Sequence, residues 1–168
     1  MLKRSLFLPA LLLSLGLAAG TLPAHADDTA AYSRKIVTED VSPANFASTL
    51  TALKTQFGAD GWTLLAEIDL GARIAKKGTQ LPGGLVILEL ASGGKTIPLL
   101  KNESTRYIAG LMPCSVSIYG LDDGRVVVSR MNTAVMAGMM EPAVAEVLKQ
   151  SAARLDASIA AALTKAGS

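Results

Sequence analysis

The sequence predicts an α+β domain, an antiparallel sheet with helices on one face in the order β-α-β-β-β-β-α. Three observations carry that prediction: an apolar helical stripe between a Ser-Pro start and a Gly stop, later segments with the period-2 or short apolar signature of strands, and a long helical stripe near the C-terminus. Runs of strands flanked by helices, rather than strict strand-helix alternation, suit an antiparallel sheet covered on one side.

A leader precedes that domain. Met1 to Arg4 supply a basic start, Leu6 to Ala19 an apolar stretch too short to span a bilayer, and Ala24-His25-Ala26 a small-residue cleavage motif. Residues 1–26 are expected to be a signal peptide cut after Ala26, leaving 27–168 as one α+β domain, soluble and periplasmic or secreted. Asp27 to Ala31 leads into a first strand, Ser33 to Glu39. Ser42 as N-cap and Pro43 at the first helical position then open a helix whose Phe46, Leu50, Leu53 and Phe57 share one face, stopped by Gly58. After the Asp60-Gly61 turn, Trp62, Leu64, Ala66 and Ile68 alternate with Thr63, Leu65, Glu67 and Asp69 as a second strand, followed by a short helical turn from Ala72 to Lys77.

Leu85 to Leu90, bounded by Pro82-Gly83-Gly84 and Ser92-Gly93-Gly94, marks a third strand. Residues 95–112 give no clear pattern. Cys114, Val116 and Ile118 alternate with Ser115, Ser117 and Tyr119 in a fourth strand, and the Asp122-Asp123-Gly124 turn returns the chain into a fifth, Arg125 to Asn132. The pattern is helical from Thr133. Pro142 starts a fresh helix with Val144, Val147, Leu148, Leu155, Ile159 and Leu163 as its apolar stripe.

Composition narrows the chemistry. The leader removes the chain's only histidine, His25, and with it the usual general base of hydrolytic mechanisms, which argues against an enzyme. Sixteen Lys and Arg stand against 14 Asp and Glu, and loss of Lys3 and Arg4 brings the domain to balance. No basic run exceeds Lys76-Lys77, so nucleic acid is not expected as a partner, because phosphate binding needs a concentrated basic face. No stretch after residue 26 approaches the roughly 18 uninterrupted apolar residues of a membrane span. A lone Cys114 cannot close an internal disulfide and must be a buried thiol, a reactive one, an intermolecular bridge or a metal ligand.

Sulfur is the one unusual chemistry left. With Asp123-Gly124 as a two-residue turn, Val116 falls opposite Met131, and Cys114 and Met131 become diagonal neighbours on one sheet face. Met136, Met139 and Met140 recur at helical spacing close by, and Met112 lies just upstream of Cys114. Thiolate plus thioethers suit Cu(I). The plainer account is that Cys114 shares a core face with Val116 and Ile118 while the methionines fill gaps where helix meets sheet. Glu67 and Glu89 are the carboxylates within strands, and they are expected at the solvent face or an edge. Gly83-Gly84 and Gly93-Gly94-Lys95 lack the spacing of a phosphate loop and serve as turns.

The stretch Gly110-Leu111-Met112-Pro113-Cys114-Ser115-Val116-Ser117-Ile118-Tyr119, with the Gly-containing turn and Ser129-Arg130-Met131-Asn132 after it, resembles the family called domain of unknown function 302. Ile68-Asp69, Lys77-Gly78 and the apolar strand Leu85 to Leu90 add to the resemblance, which covers about residues 34–148. It implies a fold similar to the TATA-binding-protein-like class, commonly as a homodimer, and no activity. Many relatives carry a Gly-Asn-Pro or Cys-x-Pro turn after the third strand. Here Ala91-Ser92-Gly93-Gly94-Lys95 stands in its place, so two-thiol chemistry does not transfer. The expectation is therefore an exported, non-catalytic binding or interaction protein, homodimeric, with a copper or haem-related site at Cys114, Met131, Met112, Met136, Met139 and Met140 as the alternative.

Overall fold

The structure, a computed structural model, describes residues 36–168. The expected signal peptide and the first residues of the predicted opening strand lie outside the described residues. Five strands, β1 (Val37–Ser42), β2 (Thr63–Asp69), β3 (Leu85–Ala91), β4 (Cys114–Gly120) and β5 (Val126–Met131), form one antiparallel sheet in the order β1-β5-β4-β3-β2. The helices are α1 (Phe46–Ala59), α2 (Leu70–Ala75), α3 (Gly93–Lys101), α4 (Thr133–Ala137) and α5 (Pro142–Ala166), with a 3-10 turn at Arg106–Leu111. This is the α+β architecture the sequence predicts.

The long helices α1 and α5 pack together on one sheet face. Leu53 and Phe57 of α1 and Leu155, Ile159 and Ala162 of α5 meet Val86, Leu88 and Leu90 of β3, Val116 and Ile118 of β4, and Val126 and Val128 of β5. Most of these are under one-twentieth exposed, and fully burying each large apolar side chain contributes about 1.5–3 kcal/mol. The other face carries Ser115, Ser117 and Tyr119 of β4 beside Val127, Ser129 and Met131 of β5.

Several elements differ from expectation, each for a local reason. The cap of α1 is Asn45 rather than Ser42: the Asn45 side chain accepts from Ser48 N at 2.9 Å, while Ser42 stays in β1 and shares a 2.6 Å hydrogen bond with Thr49 Oγ1. β2 contains a bulge between Leu64 and Ala66, which breaks the simple alternation and sets Glu67 opposite Leu88. Gly93-Gly94-Lys95, expected as a turn, instead open α3, which runs on into the unassigned stretch and whose interior Pro98 masks its helical pattern; the 3-10 turn follows.

The most consequential difference is the β4–β5 turn. Leu121 N donates to Arg125 O (2.8 Å) and Gly124 N to Leu121 O (3.0 Å), leaving a three-residue loop, Asp122-Asp123-Gly124, with Gly124 at φ +86°. That is a type I turn closed by a left-handed glycine, not the two-residue turn expected. The register therefore places Val116 opposite Arg130, one residue from prediction. A one-residue slip exchanges faces. Arg130 goes under the helices and Met131 to the open side. A backbone contact fixes the same end of the sheet: a Cβ on Gly120 would lie 2.5 Å from the Gly83 α-carbon, so only glycine allows this approach.

Arg130, 7% exposed, is neutralised by two carboxylates: Nε donates to Asp156 Oδ1 of α5 at 2.6 Å and Nη1 to Asp40 Oδ2 of β1 at 2.5 Å. Both carboxylates are partly open to water, so the pair is asymmetric. Deleting the cation leaves anions that water can solvate, whereas deleting the anions strands a buried charge. Urea unfolding is expected to show a loss of about 3 kcal/mol or more for Asp40→Ala/Asp156→Ala and less than half of that for Arg130→Met. Equal losses, or a larger one for Arg130→Met, would contradict this account.

Candidate functional site: the groove where β4 and β5 part

The β4–β5 ladder ends at Val116 opposite Arg130, whereas β4 itself begins at Cys114. Cys114 is held from the other side by β3, opposite Leu90. Beyond the last pair the strands separate, and a groove of about 300 Å³ opens between them. Its rim on the open face is Val37, Ser115, Ser117, Ser129 and Met131; on the helix side it meets Cys114, Arg130, Thr133, Ser151 and Leu155. Behind it lies a small apolar hollow of about 30 Å³ between sheet and helices, bounded by Trp62, Leu90, Ile108, Met112, Val144 and Leu148 among others. Leu111, Cys114, Thr133 and Ser151 border both spaces and so form the wall between them.

Cys114 is half-buried in that wall. Burial pushes its thiol up from the ordinary value, and the charge of Glu89 adds to the shift. A thiol so placed stays protonated at neutral pH and is a poor nucleophile. On the open face Ser115 Oγ donates to the Glu89 carboxylate, 3.0 Å from each oxygen, and the Tyr119 hydroxyl donates to Glu39 Oε1 of β1. Burial first, and then that hydrogen bond, push the Tyr119 phenol up to about 12. In the hollow, the Trp62 ring lies under the Arg154 guanidinium, 4.9 Å from its centroid, and its Nε1–H donates to Ser158 Oγ at 3.2 Å. Ser158 Oγ in turn donates to Asp60 Oδ2 at 2.6 Å; that bond, followed by one from Gln56, holds the Asp60 carboxyl below its usual range.

The sulfur atoms expected to converge do not. Cys114 and Met131 leave opposite faces of the sheet, because the hairpin register differs by one residue, although both border the groove. Met112 shares the hollow with Cys114. Met136 lies half-buried on α4, Met139 is 73% exposed, and Met140 sits 3.9 Å from the Tyr107 hydroxyl. Glu67 and Glu89 are likewise separated: Glu67 is opposite Leu88 and pairs with Lys54 at 2.5 Å, while Glu89 sits opposite Ala66 on the other face. Gly83 and Gly84, both at positive φ, serve as turn residues as expected.

Sequence reasoning missed Arg130 behind the groove and the Tyr119–Glu39 link beside it. Val126-Val127-Val128 is apolar on both faces, so alternation gives Arg130 no side; only the turn length does.

Fold and groove together define a class: a single α+β domain with one helix-covered sheet face and a binding-sized opening at a strand fork. The chain belongs to the DUF302 family, whose family model, Domain of unknown function DUF302, matches residues 37–162. The crystal structure of uncharacterized conserved protein DUF302 from Bacillus stearothermophilus has the same fold, with a TM-score of 0.67 and 19% identity, covering 75% of this chain and 97% of that one. No curated protein matches this chain.

The perturbed groups all titrate away from neutrality. Asp60 and Asp123 are lowered, the latter by the Arg125 backbone N–H and side chain; Cys114 and Tyr119 are raised, as is Tyr107 through desolvation and then Glu141. Lowered carboxylates give stability that is complete above about pH 4 and lost below it; a raised phenol gives stability complete below about pH 10 and lost as pH climbs through its folded value. Melting temperature followed by circular dichroism should be nearly flat from about pH 5 to 8. It should fall at both extremes, with a shallower alkaline decline in Tyr119→Phe. A steep change inside the neutral window would sink this assignment.

Proposed function

We propose that the chain is an exported, non-catalytic binding protein, working as a homodimer, that holds a small molecule in the groove at the β4–β5 fork. The observation that carries this reading is the opening itself: about 300 Å³, at the lower end of the size range of small-molecule sites, rimmed by hydroxyls and backed by an apolar hollow. The chemistry around it favours binding over turnover. The thiol is held protonated, and the buried cation behind the groove is already engaged by two carboxylates. A ligand suited to it is compact and largely apolar, with a polar end for Ser117, Ser129 or Thr133. Export rests on the leader motif ending at Ala26.

Native mass spectrometry of protein released gently from the periplasm tests both parts. The chain mass should begin at Asp27, and wild type should carry an added small mass that is lost on denaturation and absent from Ser129→Trp, which fills the groove. Wild type that carries no such mass, and takes up none from a cell extract, overturns the binding reading.

One observation favours a second reading. Met112 and Cys114 line the same hollow, so a thiol and a thioether face one space, a start toward a Cu(I) or haem-edge site. An anaerobic Cu(I) titration against a competing chelator would then show one equivalent bound to wild type with release of a proton, and at least tenfold weaker binding by Cys114→Ser. Equal binding by both proteins, or none by wild type, removes this reading.

A further inference from the structure

The sheet has two outer strands, and they differ. β2 is interrupted by its bulge at Leu64 to Ala66 and carries the Glu67–Lys54 ion pair, features that blunt an edge. Both edges expose apolar side chains, Leu64 and Leu65 of β2 at 40% and 57% and Val37 and Val41 of β1 at 40% and 54%, but β1 alone pairs with its neighbour over all six residues without a bulge. Asn132 N donates to Ile36 O at 2.6 Å, which fixes the phase of the β1–β5 ladder. In an antiparallel pair hydrogen-bonded residues alternate, so Thr38, Asp40 and Ser42 also bond to β5, and the N–H and C=O groups of Val37, Glu39 and Val41 point outward. Among the described residues those outward groups have no partner.

We propose that this edge pairs with the same edge of a second copy of the chain, antiparallel about a twofold axis through Glu39, making one sheet that runs across both molecules. The inference rests on the homodimer reading above and adds its surface and register. One register alone satisfies every outward group: Val37 opposite Val41 of the second copy, Glu39 opposite Glu39, and Val41 opposite Val37. A shift of two residues leaves one residue of each strand unpaired and sets valine against glutamate. In the favoured register two valine pairs cover each other on the open face, an isologous contact. Its one repulsive element is the facing pair of Glu39 carboxylates. The Tyr119 hydroxyl, two strands inward, holds Glu39 Oε1 and draws that charge away from the edge. Because Ile36 and Val37 border the groove, the pairing also brings Val41 of the second copy to its rim.

Sedimentation velocity on the full chain, together with disulfide trapping in a Cys114→Ser background, tests this. Wild type should be a dimer. Val41→Pro removes an outward N–H and no bond to β5, so it should keep the circular dichroism of the fold while weakening association at least tenfold. Tyr119→Phe should weaken it by up to about fivefold, and adding Glu39→Gln should restore it. Under oxidation Glu39→Cys should link two copies, because facing α-carbons would be about 5.5 Å apart, whereas Val41→Cys, about 13 Å or more from its own copy, should not. A dimer that ignores Val41→Pro and is not linked by Glu39→Cys overturns this surface and leaves the homodimer standing. A wild-type monomer at millimolar concentration overturns both. If Val41→Pro fails to fold, the two cysteine variants decide alone.

Discussion

The three-residue loop between β4 and β5 is the constraint on which the rest of this molecule hangs. A glycine in the left-handed region closes it, and its length fixes the parity of every residue in β5. From that parity follow the placement of Val126 and Val128 in the core, the burial of Arg130, and the exposure of Met131. A buried guanidinium must be neutralised, and the carboxylates that do so come from the outermost strand and the C-terminal helix. The turn thus decides, at a distance, how β1 is anchored to α5.

Much of the architecture was legible in the chain because the long elements carry strong periodicity. The apolar stripe of α5, from Val144 to Ile159, and the alternation of β4 each point to one face without ambiguity. What was not legible turned on single residues. Asn45 and Ser42 are equal in capping chemistry, and the choice between them depends on how far β1 extends. The bulge in β2 leaves no mark in Thr63-Leu64-Leu65-Ala66, where two leucines serve either phase. α3 contains a proline at which a pattern search stops. The candidate site suffered most, because a sulfur cluster inferred across a hairpin is only as good as the hairpin's register.

The groove and the hollow behind it share a physical origin. Where β4 loses β5 as a neighbour, backbone and side chains part, and the helices above do not close the space completely. Cys114 is held at this point by β3 alone, which makes it a wall residue between a wet side and a dry one. A small apolar residue with a weak hydrogen-bonding group suits that position. The raised thiol expresses the same geometry: a charge there would face both an apolar lining and the carboxylate of Glu89.

Trp62 gives this arrangement an optical consequence. It is the single tryptophan of the chain, it lines the hollow, and its ring is sandwiched against the Arg154 guanidinium with its indole N–H bound to Ser158. Emission from the folded protein therefore originates at one dry, cation-capped chromophore on the far side of the Cys114 wall. The hollow's volume of about 30 Å³ admits nothing larger than an ion or a water or two, so a shift in that emission reports a change in the inner space or its wall, whereas a molecule held in the outer groove leaves the indole's surroundings largely unaltered.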